Sequence, residues 1–120
     1  DLHAPQAPEV EMDEMDKKLL NQIREMIEEN MVDSDFNVSM LQEKMGMGNK
    51  LLYRKLKAIT GQTPVEYIRD MRMQKAAQLL KAGKFSVSEV MYTVGFSNSS
   101  YFSKCFSKAF GMTPTEFMRS

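Results

Sequence analysis

Apolar residues recur at helical spacing from the thirteenth residue onward. Leu19, Leu20, Ile23, Met26, Ile27 and Met31 fall three and four apart, which predicts an amphipathic helix over ~13–31. Asp13, Glu14 and Asp16 at its start suit the helix dipole. Six more helices are expected, over ~39–45, ~49–60, ~64–82, ~87–94, ~98–110 and ~114–119. Capping-box patterns open four of them: Ser39–Gln42, Thr63–Glu66, Ser86–Glu89 and Thr113–Glu116. Pro64 and Pro114 follow their caps at the first helical position, where a missing N–H costs nothing. Glycines 46, 61, 83, 95 and 111 stand where helices should stop. No stretch alternates as a strand does, so the expected fold is all-α.

The pattern is written twice. Gly61 and Gly111, Thr63 and Thr113, Pro64 and Pro114, Glu66 and Glu116, and Arg69 and Arg119 pair at an offset of fifty. Leu52 with Phe102, Arg54 with Lys104, and Leu56 with Phe106 do the same. Upstream, Val38 with Val87 and Gly46 with Gly95 pair at forty-nine, so the second copy's turn is longer by one residue. Each copy is a short helix, a glycine turn, a longer cationic helix and a Gly-x-Thr-Pro start of another helix, which is a helix-turn-helix unit.

The boundaries expected are a flexible acidic linker over 1–12, an amphipathic helix and loop over 13–37, and a first helix-turn-helix unit over 38–63. A linker helix over 64–82 and a second unit over 83–120, with a short C-terminal helix, complete the chain. The linker helix carries apolar residues around much of its circumference, as a rod packed on several sides must. Its nineteen residues span about 28 Å, against ~34 Å between successive major-groove openings on one DNA face.

Charge adds to this picture. The net charge is zero, yet residues 1–37 hold eleven acids against three bases, a net of −8, and residues 38–120 carry +8. A basic body favours a polyanionic partner.

The second helix of such a unit needs an apolar inner face and donors on its outer face. In the first copy Leu52, Leu56 and Ile59 point inward, leaving Asn49, Lys50, Tyr53, Arg54 and Lys57 outside. In the second, Tyr101, Phe102, Cys105, Phe106 and Phe110 share one side, and Asn98, Ser99, Ser100, Ser103, Lys104 and Ser107 the rest. Arg72, set among apolar residues, is expected to pair with an acid such as Glu89.

The stretch "GFSNSSYFSKCFSKAFGMTP" resembles the signature of AraC/XylS-type transcription regulators, and the resemblance covers ~38–119. "LLYRKLKAITGQTPVEYIRDMRMQKAAQLL" is similar to output domains of hybrid two-component regulators from gut Bacteroidetes. The resemblance implies sequence-specific binding to double-stranded DNA, with base-reading positions at Lys50, Tyr53 and Arg54 and at Ser99, Ser100 and Lys104. Asn49 and Asn98 are neighbours of those positions, and Lys57 is expected to support DNA binding alike for all sequences. Receiver and sensor domains of the same longer chain and RNA polymerase are the further partners it implies, in a cytoplasmic setting or the cytoplasmic part of a membrane-spanning sensor protein. The alternative is a protein-interaction module for a receiver domain or RNA polymerase, with DNA binding secondary.

Other classes find little support. One cysteine, Cys105, and one histidine, His3, give no metal-ligand spacing and no nucleophile–base pair. No enzyme activity, catalytic residue, metal, cofactor or small-molecule ligand is expected in this fragment. No apolar run reaches the ~18 residues of a membrane span, and no membrane contact is expected in it.

Overall fold

The structure, a computed structural model, describes residues 13–120; the linker expected over 1–12, with His3, lies outside the described residues. Among the described residues the chain is all-helical: α1 (Glu14–Glu29), α2 (Val38–Met45), α3 (Asn49–Thr60), α4 (Pro64–Ala82), α5 (Val87–Thr93), α6 (Ser99–Phe110) and α7 (Pro114–Arg119).

Three of the four expected capping boxes form. Thr63, Ser86 and Thr113 each accept a hydrogen bond from the N–H three residues on, and Glu66, Glu89 and Glu116 accept from the cap N–H in return. The fourth does not. Helix α2 starts one residue early, and Asn37 caps it by accepting from the Met40 N–H at 3.0 Å. Asn is as good a cap as Ser, and the earlier start brings Val38 into the helix, half-buried beside the buried Phe36.

The chain forms two compact units. The first contains residues 13–30 and Phe36–Arg69. There α1 packs on α2 and α3, burying Leu20, Ile23 and Ile27 with Leu41, Leu52, Leu56 and Ile59. Each such side chain removed from water contributes about 1.5–3 kcal/mol before entropy. The second unit contains Met31–Asp35 and Asp70–Ser120. Its core is built from Met71, Met73, Ala76, Ala77 and Leu80 of α4, Val90 and Met91 of α5, and Phe102 and Phe106 of α6. Phe106 lies 4.7 Å from Phe110 and 5.3 Å edge-on from Phe117, centroid to centroid, and Lys81 Nζ stands 5.6 Å from the Phe117 ring. Helix α4 thus supplies Tyr67 and Ile68 to the first core and its later turns to the second.

Arg72, 6% exposed, is buried among apolar residues as expected, but on partners other than Glu89. Its Nη1 donates to the carbonyls of Met31 and Val94, both at 2.6 Å, and Nη2 donates to that of Asp33 at 3.2 Å. Glu89 directs its carboxylate to the Ser86 N–H instead. Burial draws the guanidinium pKa down and the Asp33 charge pushes it back up. A planar fork of donors suits several carbonyls converging on one point.

Candidate DNA interface

Helix α3 buries Leu52, Leu56 and Ile59, and this fixes what its other side presents. Lys50, Arg54 and Lys57 project roughly opposite that stripe and are exposed. Asn49 and Tyr53 flank them, with Tyr53 47% exposed. All five candidates of the first copy therefore share the solvent side of one helix. Gly48, the N-cap of α3, offers no side-chain oxygen to its first turn, so N–H groups there remain open to an anionic partner.

Two neighbours were not anticipated. Leu51, third in the helix, is exposed beside Lys50. Lys55 turns toward α1, with Nζ 3.8 Å from Asp16 Oδ1. The helical wheel carries the signal for Leu51, since it lies ~100° from Leu52; the Lys55 contact joins distant parts of the sequence and leaves no local mark.

Helix α6 repeats the plan with different chemistry. Phe102 and Phe106 are buried, Ser99, Ser100 and Lys104 are exposed, and Ser103, Cys105 and Ser107 are half-buried. Asn98 is the N-cap, and its Oδ1 accepts from the Tyr101 N–H at 2.8 Å, which leaves Ser99 and Ser100 on the helix surface. Tyr101, expected on the apolar side, is 54% exposed. Its ring leans on Phe96 with centroids 5.7 Å apart, and at the offset of fifty it matches Leu51. Position three of each helix therefore carries an exposed apolar body.

The connections differ too. Three residues, 46–48, separate α2 from α3, and five, 94–98, separate α5 from α6. Because α5 is one residue shorter than α2, the net insertion is the single residue seen in the repeat. Among the described residues no group of three or more His, Cys, Asp or Glu is placed to hold a metal ion, and no helix is long and apolar enough to cross a membrane.

Two short-helix, glycine-turn, cationic-helix units, each showing the outer side of its second helix to solvent, define a helix-turn-helix protein. A family model described as a helix-turn-helix domain matches residues 41–120. The chain belongs to the AraC-type helix-turn-helix family, the DNA-binding domain of transcription regulators. It is 38% identical over 91% of its length to histidine kinase P4 of Formosa agariphila, of which it spans 8%. It is 33% identical over 81% of its length to the HTH-type transcriptional activator RhaS of Escherichia coli, spanning 34% of it. Among solved structures, the C-terminal domain of the two-component response regulator yesN from Fusobacterium nucleatum superposes with a TM-score of 0.76 at 31% identity. That match covers 84% of this chain and 98% of the other.

Proposed function

We propose that this domain binds double-stranded DNA with both recognition helices, α3 and α6 entering adjacent major-groove segments. The observation that supports this is the solvent side of α3, where Lys50, Arg54 and Lys57 stand exposed opposite a fully buried apolar stripe. Arg54 has the planar fork that matches guanine O6 and N7, and Lys50 is a second donor for base edges. Lys57 holds phosphate. Tyr53 and Asn49 contact the groove edges, and Leu51 offers an apolar surface to a thymine methyl. In α6, Ser99, Ser100 and Lys104 are short or single donors, with the amide of Asn98 beside them. They discriminate bases weakly and read phosphate position and groove shape.

In the longer protein we assign this domain the output role, on the cytoplasmic side, downstream of receiver and sensor parts. The likeness to a histidine kinase and to a two-component response regulator supports that assignment. RNA polymerase is the partner through which such a domain would act on transcription.

Salt tests the DNA reading. With about five phosphates contacted, log K should fall against log salt with a slope near −4 to −5. A titration between about 50 and 200 mM salt that gives a slope near zero would overturn it.

A further inference from the structure

The turn before α6 is held from outside the helix-turn-helix unit. Val94, the C-cap of α5, turns its carbonyl to Arg72 Nη1 at 2.6 Å. The next residue, Gly95, has φ +87°, and a Cβ there would fall on the Arg72 guanidinium and the Met31 carbonyl oxygen. The same guanidinium donates to the Met31 and Asp33 carbonyls. These carbonyls lie in the segment that leads out of α1, and the whole arrangement lies within one compact unit. Gly46, at the equivalent turn of the first copy, has open space where its Cβ would be.

We propose that Arg72 is a positioning residue for DNA reading by α6. Its guanidinium fork joins the 31–33 segment, α4 and the Val94–Gly95 turn, and so sets the direction in which α6 leaves that turn. A buried side chain that touches no DNA thereby governs how well Ser99, Ser100 and Lys104 meet their groove segment. The carbonyls it holds are reached from two separate nitrogens, Nη1 and Nη2, a spread that one ammonium nitrogen does not reproduce. A lysine would keep the charge and lose the fork.

The inference rests on the two-helix reading above, and the test separates the two. Site selection on the whole chain first defines a duplex with both segments and one with the α3 segment alone. If wild type binds the two duplexes equally, the two-helix reading fails, and with it a role for Arg72 in reading. If wild type prefers the longer duplex, Arg72→Lys should lose about tenfold on it and change less than about twofold on the α3 duplex. Equal loss on both, or no loss on either, overturns the proposal. A second readout needs no folded variant. In the free wild-type chain, magnetic resonance should show Arg72 Nη protons that are resolved and slow to exchange with water, with amides 94–96 protected. Nη protons that exchange as freely as those of exposed Arg54 would overturn the proposal whether or not Arg72→Lys folds.

Discussion

The two copies of the helix-turn-helix share their helices and differ in how the second helix is held and what it shows. In the first, a three-residue turn passes through Gly46 in open space, α3 starts without a side-chain cap, and long donors line its outer side. In the second, a five-residue turn is pressed onto Arg72 at Gly95, Asn98 caps α6, and Phe96, Phe102 and Phe106 stack behind it. Its outer side carries serines and single lysines. On the proposed reading one fold serves two purposes: the first copy would discriminate bases, and the second would hold a fixed pose against the DNA backbone. A repeat in sequence does not entail a repeat in energetics, because the turn's surroundings come from elsewhere in the chain.

The sharpest way to break this contrast is at the two turn glycines. Both have positive φ, 65° at Gly46 and 87° at Gly95, so alanine strains either by about 1–2 kcal/mol. Only at Gly95 does the added carbon also collide with a buried guanidinium and a backbone carbonyl. Gly95→Ala should cost more than about 4 kcal/mol, and Gly46→Ala no more than the strain. Denaturant unfolding of the two variants checks this, and equal losses would mean the Gly95 turn is no tighter than its counterpart.

Much of this architecture was legible in the residues. The apolar period, three capping boxes and the offset of fifty located every helix to within two residues, because each is a local signal. Local reasoning misplaced the cap of α2, where Asn37 and Ser39 compete on nearly equal terms. It named Glu89 for Arg72, whereas the guanidinium holds carbonyls 41 and 22 residues away in the chain and lies within the field of Asp33. Backbone carbonyls carry no residue-type mark, so nothing in the sequence could point to them. The helical pattern puts Tyr101 on the apolar side of α6 with Phe102, yet it is 54% exposed. Only the packing of Phe96 shows that its ring lies across the surface.

A smaller effect should be the same in both copies, since each ends in the same Gly-x-Thr-Pro cap. The Thr63 and Thr113 backbone N–H groups hold the Glu66 and Glu116 carboxyls below their usual range. A depressed folded pKa means that the caps add stability above the unfolded value of about 4.5 and lose it as pH falls through the folded one. Glu66→Gln and Glu116→Gln should each melt lower than wild type near pH 7, and the gap should close in acid. Melting curves from about pH 7 to 3 that run parallel for wild type and variants would show these carboxylates contribute nothing specific.

The central claim is that α3 discriminates bases and α6 mainly holds position. Selection of bound sites from random duplex DNA tests it most directly, run on wild type, Arg54→Ala and Lys104→Ala side by side. Wild type should select one segment with strong base preference and an adjacent one with weak preference. Arg54→Ala should lose about 1–3 kcal/mol on the preferred site and relax one base pair in the strong segment. Lys104→Ala should weaken binding to all sequences alike. Equal preference in both segments, with Lys104→Ala relaxing a base pair as sharply as Arg54→Ala, would contradict the account.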